Sequence, residues 1–144
     1  MDRLFQVIRN IERLSTGKLF FVLFSETINQ KLIIQLNQEN QLQFGILADD
    51  KELPFYSKTS VDVYGKPSGK RWTLKDTGDF YDSFDIVQVT EKDLTIYADS
   101  VKEDVDLSEY GAILGLNEES FEILRDKLIP QIQEIILNEI LAVD

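Results

Sequence analysis

Apolar residues recur at helical spacing at both ends of the chain, and at every second position in two short runs within residues 84–98. At the N-terminus, the apolar residues that lie three or four positions apart are Leu4, Phe5, Ile8, Ile11 and Leu14. This spacing predicts an amphipathic helix with Asp2 as its N-cap and Gly17 just past its end. A second helix is predicted from Leu19 to about Leu36, so that N-terminal helices cover residues 2–37.

The most apolar run of the chain is Leu19–Phe24, which taken alone is also typical of a buried strand. Helical spacing continues beyond it, so we expect a helix and, with the helix before it, an αα-hairpin. The run is six residues long, whereas a membrane-spanning helix needs roughly 20. Met1-Asp2-Arg3 is not followed by the apolar core and cleavage site of a secretory signal. We therefore expect a cytosolic chain without a membrane span.

Residues 38–75 are predicted to be a loop-rich, basic segment, since prolines and glycines punctuate them. The run from Gly65 to Lys70 superficially resembles a phosphate-binding loop. Three residues rather than four separate its glycines, however, and Arg71 stands where a hydroxyl is needed. We therefore expect a mobile basic loop and no nucleotide site.

Period-two alternation predicts an antiparallel β-hairpin over residues 84–98. A short helical turn is predicted before it, with Thr77 as N-cap, and an exposed acidic loop is predicted after it over residues 99–110. Apolar residues at helical spacing from Phe121 to Ile140 predict a C-terminal helix over residues 117–142, which Asn117 caps.

Pro130 lies inside the C-terminal pattern and is expected to kink the helix or divide it. The apolar stripe of this helix packs either in the core of the domain or, in part, on a neighbouring subunit. The elements together predict a single α+β domain over residues 1–144. In it, the N-terminal helices and the long C-terminal helix pack on a small antiparallel sheet.

The chain of 144 residues contains neither cysteine nor histidine. This composition excludes disulfides, thiolate nucleophiles, Ser-His-Asp couples and zinc sites of ordinary ligand type. Four aspartates recur every three residues, namely Asp76, Asp79, Asp82 and Asp85. A calcium loop instead places its oxygens at alternating positions and ends in a glutamate, so these residues are interpreted as a solvated acidic face. We expect no catalytic residue, no cofactor and no metal.

Asp76-Thr77-Gly78 is the triplet that carries one catalytic carboxylate in aspartic proteases, and Ala112–Gly115 resembles an apolar element of the retroviral type. A pair of carboxylates that share a proton must be buried side by side, but Lys75 directly precedes this aspartate. No glycine lies between Gly78 and Gly111 to build a flexible flap. A divergent aspartic protease is therefore the third interpretation, and the two non-enzymatic interpretations that rank ahead of it follow below.

Charge is divided unevenly along the chain. Residues 1–75 hold 11 bases and 8 acids, whereas residues 76–144 hold 4 bases and 18 acids. The net charge of −11 argues against general nucleic-acid binding, because Lys and Arg drive phosphate binding. Two unlike faces are what a subunit needs in order to join its neighbours head to tail. The candidate subunit interface consists of Lys58, Lys66, Lys70, Arg71, Glu103, Asp104, Asp106 and Glu109.

The segment Leu74–Phe84, with the hairpin after it, resembles small structural proteins of tailed bacteriophages in its pattern Leu-x-Asp-Thr-Gly-x-Phe-x-x-Ser-Phe. Tyr110-Gly111 and Ile113–Glu119 match the ending that is typical of that group. A set of short motifs upstream of this segment resembles proteins of phages and prophages of gut Bacteroidales, including crAss-like phages. That set comprises Leu36-Asn37, Gln41-Leu42, Gly45 and Tyr56-Ser57.

The resemblance covers about residues 28–140 and implies a virion-morphogenesis, tail-completion or head–tail neck protein. Such proteins are α+β, are not enzymes, and form rings of six or twelve copies with portal, neck or tail proteins around the channel through which DNA leaves. DNA then passes nearby without specific binding, no membrane is involved, and the subunit is made in the host bacterial cytoplasm. An acidic channel lining would repel phosphates. The rival interpretation is a soluble intracellular adaptor that binds one protein partner through its apolar C-terminal helix.

Overall fold

A computed structural model describes residues 2–13 and 15–142, so Leu14, predicted on the first apolar stripe, lies outside the described residues. The α-helices are α1 (Asp2–Arg13), α2 (Thr16–Ser25), α3 (Thr27–Gln35), α4 (Lys58–Tyr64), α5 (Asp79–Asp82) and α6 (Glu118–Leu141). The strands are β1 (Asp85–Val89), β2 (Leu94–Tyr97), β3 (Val101–Lys102) and β4 (Val105–Asp106). This architecture confirms the predicted α+β class. The side chains of Asp2 and Ile11 are also outside the described part of the chain, and with them the predicted N-cap at Asp2.

The predicted single helix from Leu19 to Leu36 is wrong, because the chain turns at Glu26 between α2 and α3. The axis of α2 and that of the helical stretch Thr27–Phe44, which begins with α3, differ by 82°. Side-chain amides of α3 satisfy the end of α2: Asn29 donates to the Leu23 carbonyl (2.8 Å) and Gln30 donates to the Phe24 carbonyl (2.8 Å). In a continuous helix these two carbonyls would accept hydrogen bonds from backbone amides. The side chains of Asn29 and Gln30 replace those hydrogen bonds, so the break leaves neither carbonyl without a donor.

In the part of the chain that the structure describes, no single helix is both long and apolar enough to cross a membrane. α2 and the helix after it pass that test of length and composition only when taken together, across the sharp bend between them.

α3 continues into a π-helical segment, Leu36–Gln41, and a 3-10 turn, Leu42–Phe44. The sequence predicts a polar helix end here, but both Asn37 and Gln41 are 0% exposed. The wider π-helical turn places these two amides side by side in the interior. They face residues 111–117, a segment before α6 that is neither helix nor strand and that we call the strap.

The two buried amides bind the strap as a neighbouring strand would. Asn37 donates through Nδ2 to the Ile113 carbonyl (3.0 Å) and accepts from the Gly115 amide (2.7 Å). Gln41 donates to the Gly115 carbonyl (2.9 Å) and accepts from the Asn117 amide (2.9 Å). Buried backbone groups need such partners, so these four hydrogen bonds hold the strap in place.

α6 begins where the strap ends, and its predicted N-cap is confirmed because Asn117 Oδ1 accepts from the Ser120 amide (3.0 Å). The helix runs continuously through Pro130, so the expected division does not occur. Proline removes the amide that would bond the Asp126 carbonyl. Both residues are exposed, so that carbonyl faces water.

The predicted hairpin over residues 84–98 is present as the antiparallel pair β1–β2, with a bulge between Ile86 and Gln88. The preceding turn is α5, which Gly78 rather than Thr77 caps. Thr77 Oγ1 instead accepts from the Asp79 amide (3.3 Å).

The predicted acidic loop over residues 99–110 is more ordered than expected. It contains the small hairpin β3–β4 and a 3-10 turn, Leu107–Tyr110, because Asp106 Oδ1 accepts from the Ser108 amide (3.0 Å) and caps the turn. The predicted loop over residues 38–75 likewise contains α4, whose N-cap Ser57 accepts from the Ser60 amide (3.1 Å).

Two apolar clusters form the core and meet at Ile34 and Ile96, which pack against both. The first consists of Leu42, Leu47, Leu53, Phe80, Tyr81, Phe84, Ala98, Leu107 and Ile113. The second, between α2, α3, β1 and α6, consists of Leu23, Phe24, Ile33, Leu36, Ile86, Leu124 and Leu128. The strap contributes Ile113 to the first cluster and leads into α6, which contributes to the second.

We predict that Asn37→Ala lowers the free energy of unfolding by ~2–4 kcal/mol, because it leaves a buried carbonyl and a buried amide of the strap unpaired. Urea denaturation followed through Trp72, the single tryptophan, measures this. Gln35→Ala is the matched control, since its amide bonds only to Glu39 at the exposed surface. Equal effects of the two substitutions would contradict the role assigned to Asn37.

Candidate functional site

A cleft of about 360 Å³ lies between the basic segment and the β3–β4 hairpin. Two predicted interface residues, Lys66 and Glu103, line it from opposite sides, and the rings of Tyr56, Trp72 and Tyr110 form much of its wall. The basic and acidic segments therefore face each other within one chain, whereas the sequence analysis assigned them to contacts between copies.

Asp76 stands in this cleft as the carboxylate of an ion-pair network. Lys102 Nζ lies 3.3 Å from one carboxylate oxygen and Lys66 Nζ lies 3.6 Å from the other. The hydrogen bond from Lys102, and the positive charges of Lys102 and Lys66, lower the pKa of Asp76. An aspartic protease needs a carboxyl that shares a proton with a twin. The groups that face Asp76 here are cations, which hold it ionised.

Arg71, a predicted interface residue, is engaged inside the chain. Its guanidinium lies 2.7 Å from a Glu52 carboxylate oxygen, donates to the Leu53 carbonyl (2.9 Å) and stacks 4.0 Å from the centre of the Phe55 ring. A Cβ on Gly45 would lie 2.5 Å from the Arg71 Cβ, so the glycine permits this close packing. Arg71 thus organises residues 45–55 rather than presenting a free charge.

Asp106, another predicted interface residue, stabilises the 3-10 turn that follows it. Besides the Ser108 amide, its Oδ1 accepts from the Ser108 hydroxyl (2.7 Å) and the Ser100 hydroxyl (3.0 Å). These hydrogen bonds, those of Ser108 first, lower the pKa of Asp106. The remaining predicted interface residues are exposed and form no ion pair with any residue that the structure describes. They are Lys58, Lys70, Glu103, Asp104 and Glu109.

The four regularly spaced aspartates do not form one face, because α5 ends at Asp82 and Asp85 begins β1. Over residues 2–13 and 15–142, no cluster of three or more acidic side chains is arranged to hold a metal ion.

An apolar groove that the sequence analysis missed runs between α2, β2, the strap and α6. Two cavities of about 440 and 290 Å³ form it and share Phe20, Phe24, Phe121 and Leu124 as lining residues. Phe121 is 56% exposed in it. The signal in the sequence was the unusually broad apolar face of residues 19–36, which exceeds what one helix buries.

One end of the apolar groove opens into an acidic mouth. This third cavity, of about 610 Å³, shares Leu116, Phe121 and Arg125 with the groove. Its acidic lining residues are Asp49, Asp50, Glu118 and Glu122. The Arg125 guanidinium lies 3.5 Å from the Asp126 carboxylate, so the mouth presents mainly negative charge.

α1 packs with its polar side inward and leaves apolar side chains exposed. Asn10 is buried and donates to the Ala142 carbonyl (2.7 Å) at the end of α6, while Gln6 donates to Asn10 (2.9 Å). The apolar side chains on the outside are Leu4, Phe5 and Ile8, which are 59%, 52% and 42% exposed. We call them the outer face of α1.

Comparisons with protein-family models, curated proteins and solved structures found no match.

We predict that Lys102→Ala raises the pKa of Asp76 towards its ordinary value of 3.8, and that Lys66→Ala raises it less, because Lys102 supplies the main hydrogen bond. Carboxyl chemical shifts followed during an NMR pH titration measure this. Lys92→Ala, on the exposed turn of the β1–β2 hairpin, is the control and leaves the pKa unchanged.

Because folding lowers this pKa, the network stabilises the protein fully above the unfolded-state value, and the contribution is lost as the pH falls through the folded-state value. The stability difference between wild type and Asp76→Asn is therefore expected to vanish in acid. A difference that persists unchanged below both pKa values would contradict the ion-pair role.

Proposed function

We propose that this protein is a non-enzymatic structural component of a tailed-phage virion, a ring-forming subunit at the head–tail junction. The main support is that a single chain leaves two unlike apolar surfaces uncovered, the outer face of α1 and the apolar groove. Exposed apolar surface of this kind marks a site of protein association. Two different surfaces per subunit suit a head-to-tail ring.

The motifs that resemble phage structural proteins serve the framework of this fold. Phe80, Tyr81 and Phe84 build the first core cluster. Burial, with a smaller contribution from the nearby Tyr56, raises the pKa of Tyr81, whose hydroxyl donates to the Thr73 carbonyl (2.6 Å). These motif residues therefore contribute to packing in this fold.

The charge distribution supports a place beside a DNA channel. The acids of the second half of the chain include exposed side chains at Glu103, Asp104 and Glu109. A surface of this sign repels phosphate and lets DNA slide past without binding. In this proposal, six or twelve copies contact portal, neck or tail proteins in the virion, after synthesis in the bacterial cytoplasm. Genes for portal and major capsid proteins are then expected beside the gene for this chain.

We predict that the purified protein forms oligomers whose mass falls as salt is raised, because screening weakens contacts between opposite charges. Size-exclusion chromatography with light scattering measures the mass. Lys58→Glu combined with Lys70→Glu reverses two exposed bases and is expected to lower the oligomer fraction at low salt. Lys92→Glu, equal in charge change per site and outside the basic segment, is the control. A monomer at every concentration and salt would contradict self-assembly.

The adaptor interpretation has support of its own in α6, where Ile129, Leu137 and Leu141 are exposed. An adaptor that binds one partner through this helix would give a one-to-one complex without rotational symmetry. Leu137→Asp would then abolish partner binding, whereas the ring proposal assigns this residue no part in the contact between copies. Stoichiometry of the isolated complex separates the two functions.

A further inference from the structure

We propose that the outer face of α1 of one copy inserts into the apolar groove of the next copy, with the arginines of α1 at the acidic mouth. This inference depends on the proposed ring-forming function and names two surfaces through which neighbouring copies make contact. The occupant of the groove is thus a second copy of this chain.

The exposed apolar side chains of α1 suit this helix for binding in an apolar groove. An amphipathic helix normally turns its apolar residues to its own core, but here Asn10 and Gln6 face α6 and the outer face is left to solvent. Leu4 and Ile8 lie four residues apart and Phe5 adjoins them, so all three lie on one side. Helices with such anchors bind in apolar grooves.

The apolar groove offers matching chemistry. Phe20 and Phe24 from α2 lie edge to face, with ring centres 4.7 Å apart, and Phe121 and Leu124 of α6 lie opposite in the same cavities. Aromatic and aliphatic side chains at the centre of an interface carry most of its binding energy.

Charge complements the apolar match. Exposed arginines, Arg3 and Arg9, flank the outer face of α1, and the acidic mouth adjoins the apolar groove at Phe121. Opposite charges at the rim of an interface orient the partners and speed their association.

A chain cannot bring its own α1 to its acidic mouth. The bond from Asn10 to Ala142 fixes α1 beside the C-terminal end of α6. Glu118 and Phe121, which line the mouth, lie at the opposite end of that helix, about 30 Å away at 1.5 Å per residue. The mouth and the arginines of α1 can therefore meet only between copies, in a contact that repeats head to tail.

Complementation between two variants tests this contact. Phe5→Asp destroys the outer face of α1 but keeps the groove, and Phe121→Asp destroys the groove but keeps α1. Both side chains are more than half exposed, so both variants are expected to fold, as circular dichroism checks. Each alone needs about 30-fold more protein to assemble than wild type.

Mixed in equal amounts, the two variants are expected to form a one-to-one dimer in light scattering that does not grow further. The intact α1 of the Phe121→Asp chain occupies the intact groove of the Phe5→Asp chain, and both remaining surfaces of the dimer are defective. Ile28→Asp is the control and assembles like wild type, because this side chain on α3 is 72% exposed and lines neither the apolar groove nor the acidic mouth. Wild-type assembly of either variant, or a mixture that stays monomeric, would overturn the inference and leave the ring proposal standing. A wild-type protein that never assembles would overturn both.

Discussion

The hydrogen bonds from Asn37 and Gln41 to the strap are the interaction on which the rest of the structure depends. They fix the strap where Ile113 enters the first core cluster, and they place Asn117 where it caps α6. Without them, α6 would lose its starting point, and with it one wall of the apolar groove. Buried amides that are fully paired specify one arrangement, because any slip of the strap leaves polar groups without partners.

Local patterns allowed much of this fold to be predicted, but not the part that builds the apolar groove and exposes the outer face of α1. The β1–β2 hairpin and the Asn117 cap follow from neighbouring residues. The break at Glu26 and the π-helical segment instead depend on side-chain amides and distant contacts, and Asn37 bonds across 76 residues. Asn is a weak helix former in isolation, so Asn37 and Asn40 gave residues 37–40 the pattern of a helix end.

The predicted subunit interface of unlike charges stays a prediction, but part of that charge is paired inside the chain. Lys66 and Arg71 pair with Asp76 and Glu52 inside the same chain, because the fold brings the basic segment against acidic neighbours. The two surfaces that we propose as contacts between copies are largely apolar, with charged residues at their edges. The orientation of α1 departs from its pattern, since an amphipathic helix normally turns its apolar side to the core, whereas α1 buries Asn10 and exposes Leu4 and Phe5.

Electron microscopy of the purified protein tests the central claim most directly, that this chain joins copies of itself through two unlike surfaces. Particle averages are expected to show closed rings with six- or twelve-fold symmetry and an open centre, since identical head-to-tail contacts close only by rotation. Compact dimers with two-fold symmetry would contradict the account, because two copies that satisfy each other's surfaces leave none with which a ring could close.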